Sequence, residues 1–302
     1  MSRLAFRDGV LFFPVTPFDA ADRVDQAVLA QHISSGVDAG AAGVFAACGT
    51  GEFHALSISE FGAVLSTAVA AAAGRVPVVA GAGGPLGHAR ECARVAEEAG
   101  ADGLLVLPPY LVSGPQAGLV AYVEAIAAAT TLPLIVYHRA NAALGEDTVR
   151  RLAEIEQVVG IKDGVGDIAL MQRFVLAAAA EGRDLLFFNG LLTAELSQAA
   201  YRAIGVPLYS SAVFAMAPDL AVAFFDAYLA GDDAAQRRLL DRFYVPLVRL
   251  RDETPGFAVS LVKAGLRIQG LPVGPVRAPL VDPTPEQEDR LRAILDAGRA
   301  LL

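Results

Sequence analysis

Short β-like runs alternate with longer alanine-rich helical runs along this chain, and the alternation repeats eight times between Val10 and Leu229. The strand-like runs are Val10–Val15, Gly43–Ala47, Val76–Ala80, Asp102–Leu107, Leu134–Tyr137, Val158–Lys162, Leu185–Asn189 and Val206–Ser210. The helical runs that follow them are Asp25–Ala39, Ser59–Ala73, Pro85–Ala99, Gln116–Ala129, Asp147–Ile155, Ile168–Ala180, Thr193–Ala203 and Pro218–Leu229. Apolar residues at mixed three-to-four spacing mark the first helix (Ala27, Leu29, Ile33, Val37), and Ser59 is the expected N-cap of the second. Strands alternating with helices imply right-handed parallel units. Eight such units without a linker imply an α/β fold closed as a (β/α)8 TIM barrel, rather than an open doubly wound sheet.

The barrel is expected over residues 1–230, and residues 231–302 form a C-terminal helical extension. The extension carries helical runs at Asp233–Arg251, Gly256–Gln269 and Thr284–Leu302, with a proline-rich connector at Gly270–Pro283. It is expected to pack on the barrel or at an oligomer interface.

In a barrel of this kind the reactive groups gather at the C-terminal ends of the strands. Strand one ends at Thr16, strand two at Cys48-Gly49-Thr50-Gly51-Glu52 and strand three at Gly81-Ala82-Gly83-Gly84. Strand four ends at Pro108-Pro109-Tyr110, strand five at Tyr137-His138-Arg139, strand six at Lys162, strand seven at Asn189 and strand eight at Ser210-Ser211. Lys162 stands out because the chain has only two lysines, the other being Lys263, against 22 arginines. A desolvated amine can lose its proton and attack a carbonyl, whereas a guanidinium cannot. Taken alone, Lys162 also fits a strand-end lysine that snorkels to solvent. The barrel count moves it to the mouth, where desolvation lowers its pKa.

Tyr137, on the neighbouring strand, is a candidate proton relay. Gly49-Thr50-Gly51 can turn backbone N–H groups toward a carboxylate, with the Thr50 hydroxyl adding a donor. Gly81–Gly84 reads as a structural turn rather than a phosphate cradle, because no basic residue accompanies it. Cys48 reads as packing. The histidines His32, His54, His88 and His138 show no paired ligand spacing, so no metal site is expected.

Bulk properties narrow the function classes. The net charge of −9 and the lack of a basic run argue against a nucleic-acid partner. Two cysteines, Cys48 and Cys92, make no disulfide framework. The apolar patch within Met1–Val15 is too short for a signal or a membrane span, so a soluble cytoplasmic protein with no membrane association is expected.

Taken together, Gly49-Thr50-Gly51-Glu52, Tyr137 and Lys162 within Gly160-Ile161-Lys162-Asp163 resemble the dihydrodipicolinate synthase / N-acetylneuraminate lyase superfamily of Schiff-base barrels. The resemblance covers essentially the whole chain. Three positions depart from the synthases of that family. Gly49 replaces the first of two adjacent threonines, Leu111 a tyrosine donated across a subunit interface, and Ala142 an arginine that grips a dicarboxylate. These departures argue against a dihydrodipicolinate synthase role.

Other stretches resemble one branch, the 5-dehydro-4-deoxyglucarate dehydratases. They are Phe13-Pro14-Val15-Thr16-Pro17-Phe18, Gly49-Thr50-Gly51-Glu52-Phe53, Leu107-Pro108-Pro109-Tyr110-Leu111, Ile135-Val136-Tyr137-His138-Arg139, Phe188-Asn189-Gly190 and Pro207-Leu208-Tyr209-Ser210-Ser211-Ala212. His138 stands where that branch usually has asparagine, and its role is open.

The resemblance implies dehydration with decarboxylation of a six-carbon keto-diacid to 2,5-dioxopentanoate, with Lys162 as Schiff-base lysine and Tyr137 as relay. One substrate carboxylate is expected on Gly49, Thr50 and Gly51, and the distal end on Asn189, Ser210, Ser211 and Arg139. No cofactor is expected, since Lys162 itself supplies the electron sink. A homo-oligomer, tetramer or dimer, is implied as well. An aldol lyase or synthase of the same superfamily would instead yield pyruvate and an aldehyde. A keto-acid-binding barrel without turnover would tolerate Lys162→Arg.

Overall fold

In a computed structural model, which describes residues 4–6 and 8–302, parallel strands β1 to β8 close in sequence order into a barrel. They span Leu11–Phe12, Gly43–Ala46, Val78–Gly84, Gly103–Pro109, Leu134–His138, Val158–Asp163, Leu186–Asn189 and Leu208–Ser211. Closure is by β1 pairing with β8, Leu11 opposite Ser210 and Phe12 opposite Ser211. Part of the N-terminal apolar patch, at residues 1–3 and 7, lies outside the described residues.

Alternation along each strand sorts side chains into two cores. Inward residues Leu11, Phe13, Phe45, Val79, Leu105, Ile135, Tyr137 and Phe188 fill the barrel. Phe13 stacks on Phe45 with ring centroids 4.5 Å apart, and Phe45 meets Phe188 at 5.9 Å. Outward residues pack against the surrounding helices, and most of the buried apolar surface lies in that outer layer.

The helices are α1 (Gln26–Asp38), α2 (Ile58–Ala72), α3 (Leu86–Glu98), α4 (Gln116–Ala127), α5 (Glu146–Glu154), α6 (Ile168–Ala180), α7 (Gln198–Ala203), α8 (Val213–Met216) and α9 (Pro218–Ala230). The cap of α2 is Ser57 rather than Ser59. Ser57 Oγ accepts from the Glu60 amide while the Glu60 carboxylate accepts from the Ser57 amide, a reciprocal capping box that Ser59 cannot form. The helix expected at Thr193–Ala203 is split into a 3₁₀ turn, Ala194–Leu196, and α7. The Asn189 carboxamide donates to the Ala194 carbonyl and to Ser197 Oγ and so competes with helix continuation there. Gly81–Gly84 lies inside β3 rather than in a turn, because Gly83 packs against Leu107 of β4 with no room for a Cβ.

The C-terminal run contains α10 (Asp233–Leu239), a π-helical turn at Leu240–Tyr244, α11 (Val245–Arg251), α12 (Phe257–Ile268) and α13 (Pro285–Arg299), the last capped by Thr284. Its connector runs back under the β1–α1 loop, where the Phe18 amide donates to the Val273 carbonyl at 3.0 Å. Among the described residues no helix is long and apolar enough to cross a membrane.

Candidate active site

A cavity of about 530 Å³ opens at the C-terminal ends of the strands. Phe13, Gly49, Thr50, Tyr137, Arg139, Lys162 and Ser210 line it, and so do Gly256 and Leu280 of the C-terminal run. The extension therefore walls one side of the mouth as well as packing on the barrel. Among the described residues no Asp or Glu lines the cavity, although the whole chain carries a net charge of −9. Arg139 thus sets a locally positive field in an acidic protein, which favours an anionic ligand.

Lys162 sits on β6 opposite Tyr137 of β5 and Phe188 of β7, so three neighbouring strands bring these side chains into one layer. The lysine is only 6% exposed. Its Nζ lies 4.0 Å from the centroid of the Phe13 ring, 4.5 Å from Tyr137 and 5.8 Å from Phe188. An aromatic box of this kind supports the ammonium through ring quadrupoles but does not replace its hydration. Burial therefore pulls the Lys162 pKa below the usual amine range, Tyr137 and Cys48 opposing and Arg139 reinforcing. Gly190 is what allows this placement. A Cβ there would lie 2.2 Å from Lys162 Cε and 2.8 Å from the Asp163 carbonyl.

The Tyr137 hydroxyl donates to the Gly190 carbonyl at 3.2 Å and accepts from Arg139 Nη1 at 2.8 Å. Gly164 leaves room for its ring, since a Cβ there would stand 2.7 Å from Tyr137 Cε2. A phenol held between a donor and an acceptor, over a depressed-pKa amine, can pass protons at the amine and at whatever it attacks.

The β2–α2 turn presents Gly49 and Thr50 to the cavity. It is closed by the Glu52 amide on the Gly49 carbonyl and the Phe53 amide on the Cys48 carbonyl, both at 3.1 Å. Gly51 is not at the cavity: its carbonyl accepts from Thr16 Oγ1 at 2.7 Å and it packs on Ala47. Its part is to hold the turn.

Two expected distal-end residues are corrected by strand parity. Phe188 points inward, so Asn189 points out. There its carboxamide donates to Ala194 O, Ser197 Oγ and Gln198 Oε1 and accepts from the Leu191 amide. Ser210 lines the cavity, so Ser211 points out, where its hydroxyl donates to the Glu195 carboxyl and accepts from the Phe214 amide. Of the expected distal donors, Arg139 and Ser210 remain at the cavity. His138, outward of Tyr137, accepts the Leu144 amide on Nδ1 at 2.8 Å and approaches Asp163 at 4.0 Å. Burial lowers its pKa against that carboxylate. Cys48 is fully buried with its thiol pushed up to about 12 by burial, a packing group.

Phe13, His54, Asn141 and the extension residues also line the cavity and were not among the sequence candidates. Phe13 was legible in principle, since it shares the inward parity of Leu11. Asn141 ties the β4–α4 loop by donating to the Pro109 and Val112 carbonyls.

The chain is similar to known proteins over nearly its whole length. A profile of the dihydrodipicolinate synthetase family matches residues 7–298. A probable 5-dehydro-4-deoxyglucarate dehydratase of Streptomyces griseus is 56% identical, over 100% of this chain and 95% of its own. One from Paracidovorax citrulli is 44% identical over 95% of this chain and 94% of its own. Among solved structures, dihydrodipicolinate synthase of Bacillus anthracis superposes with a TM-score of 0.85 at 28% identity, covering 97% of this chain and 99% of that one. The Acinetobacter baumannii synthase complexed with pyruvate gives 0.84 at 27% identity, covering 97% and 99%. The barrel, its buried lysine and these likenesses together place the chain in the dihydrodipicolinate synthetase family.

Proposed function

We infer that this protein is a decarboxylating hydro-lyase that converts 5-dehydro-4-deoxy-D-glucarate to 2,5-dioxopentanoate, carbon dioxide and water. The observation that carries the reading is a buried lysine that, among the described residues, has no carboxylate partner, beside a tyrosine, in a cavity that no described acidic side chain lines. The full-length likeness to dehydratases at up to 56% identity supplies the substrate.

In the proposed course the Lys162 amine adds to the ketone, and water leaves as the iminium forms. The adjoining carboxylate rests on the Gly49–Thr50 turn, whose Gly49 and Thr50 amides take no backbone acceptor among the described residues. The iminium acidifies the neighbouring CH2. Tyr137 relays that proton, and the resulting enamine expels the β-hydroxyl as water. The conjugated iminium then takes the electron pair of the bond to the distal carboxylate as carbon dioxide leaves. Protonation and hydrolysis restore the Lys162 amine and free the keto-aldehyde. Arg139 and Ser210 hold the distal end, Arg139 also fixing the Tyr137 hydroxyl. Lys162 serves as the electron sink without a further cofactor.

We also propose that the protein works in the cytoplasm as a homo-oligomer, a dimer or tetramer. The run Tyr110, Leu111 and Val112, which is 62%, 82% and 63% exposed, supports assembly through that loop.

The test is incubation with the keto-deoxy-glucarate while carbon dioxide and product are followed. One carbon dioxide per 2,5-dioxopentanoate is expected. Pyruvate plus an aldehyde, with no carbon dioxide, would replace this reading with an aldol cleavage.

A further inference from the structure

The second lysine of the chain is also buried, and nothing in the chemistry above uses it. Lys263, on α12, is 0% exposed, and its Nζ lies 2.5 Å from Oε1 of Glu52, also 0% exposed. Glu52 is the last residue of the turn that carries Gly49 and Thr50. Its backbone is left-handed, with φ of 56°, a conformation a non-glycine residue holds only when its surroundings enforce it.

The enforcement comes from the C-terminal run. The Arg277 amide donates to Glu52 Oε2 at 2.8 Å, and Lys263 donates to the Pro275 carbonyl at 2.8 Å, so connector and helix grip the two ends of one contact. The Arg277 guanidinium reaches on to the Ala55 carbonyl at 3.0 Å and to Glu60 at 2.7 Å, bracketing the residues that follow the turn. Phe18 lies under both cations, 4.1 Å from Lys263 Nζ and 3.9 Å from Arg277 Cζ. On the other side Thr16 holds the Gly51 carbonyl.

We propose that Lys263 is a positioning residue for substrate binding: through Glu52 it fixes the turn whose amides and Thr50 hydroxyl receive the carboxylate beside the ketone. The proposal rests on the reading that this turn binds that carboxylate. It makes the C-terminal run part of the binding apparatus, since removing the clamp frees the turn without touching Lys162 or Tyr137. A buried carboxylate that loses its cation also becomes an uncompensated charge, so stability and positioning must be separated.

The experiment compares Thr50→Ala, Lys263→Met, Glu52→Gln and the double variant Glu52→Gln/Lys263→Met, measuring KM, kcat and thermal midpoint with the keto-deoxy-glucarate. Thr50→Ala is expected to raise KM about tenfold, the scale of one charge-assisted contact. Lys263→Met should raise KM to a similar degree with kcat within about threefold, because binding weakens while the reacting groups stay in place. The double variant, which has no orphaned charge, should recover the thermal midpoint lost in Lys263→Met yet keep the raised KM. If Lys263→Met fails to fold, the double variant carries the test. A raised KM in Thr50→Ala with wild-type KM in the double variant would overturn the positioning role alone. An unchanged KM in Thr50→Ala would remove the carboxylate reading, and the proposal with it.

Discussion

Lys162 and Lys263 are both buried, and the protein treats their charges in opposite ways. Lys263 has a carboxylate at 2.5 Å and a carbonyl at 2.8 Å, so its ammonium is kept despite burial that lowers its pKa. Lys162 has three aromatic rings and, among the described residues, no carboxylate partner, so burial outweighs the opposing Tyr137 and Cys48 and lowers its pKa. The difference is one of partners rather than depth. A buried amine becomes a nucleophile when its surroundings decline to pair it, and a structural cation when they do pair it. Glu195 shows a third outcome. Buried beside Ser211, Tyr209 and Tyr244, it has its carboxyl pushed up to about 7 by burial, so below neutral pH it keeps its proton instead of taking a cation.

The sharpest way to break the comparison is to replace Lys162 by a permanent cation. Lys162→Arg keeps charge and removes nucleophilicity, and a fall in kcat of about 10⁵-fold is expected in a steady-state assay. Activity within tenfold of wild type would mean that the amine does no chemistry. The wild-type pH profile sharpens the same point. Because the Lys162 pKa is lowered, kcat/KM should rise with pH as the ammonium of the free enzyme loses its proton, at a pH below that of an ordinary lysine.

Gly190→Ala comes next in size. The new Cβ would overlap Lys162 Cε, so the amine must move by the order of 1 Å, and a fall in kcat of about 10²-fold is expected while the barrel still folds. A variant with wild-type kcat would show that the box does not need to hold the lysine so closely.

The smallest effect concerns Glu195 and is read in stability rather than rate. Its folded pKa of about 7 stands above the reference 4.5, so the folded state binds the proton more tightly. That contribution is fully present below the unfolded pKa and is lost as pH rises through the folded one. The difference corresponds to about 3 kcal/mol between pH 4.5 and 7. Glu195→Gln should lack this decline, and denaturant unfolding of both proteins across that range checks it. Parallel pH profiles for the two would assign the decline to other groups.

Much of the fold was legible because the eightfold alternation leaves few topologies open, and Lys162 because the chain is so poor in lysine. Tyr137 and Thr50 followed once strand ends could be aligned on one rim. Asn189 and Ser211 were misplaced for a specific reason. A residue at a strand end faces the cavity only if its parity is right, and the end alone does not state the parity. Phe188 and Ser210, one position earlier, are the inward ones. The Glu52 clamp was not legible, because Arg277 lies 225 positions from Glu52 and no periodicity links them. Likewise the wall formed by Gly256 and Leu280 depends on how the extension folds back over the mouth, a tertiary outcome with no local signature.

The most direct measurement is to incubate the enzyme with the keto-deoxy-glucarate, reduce with borohydride, digest, and locate the added mass by mass spectrometry. A single reduced adduct on the peptide containing Lys162, with Lys263 unmodified, is the expected result. An adduct on Lys263, or turnover with no adduct on either lysine, would contradict the assignment of the unpaired lysine as the nucleophile.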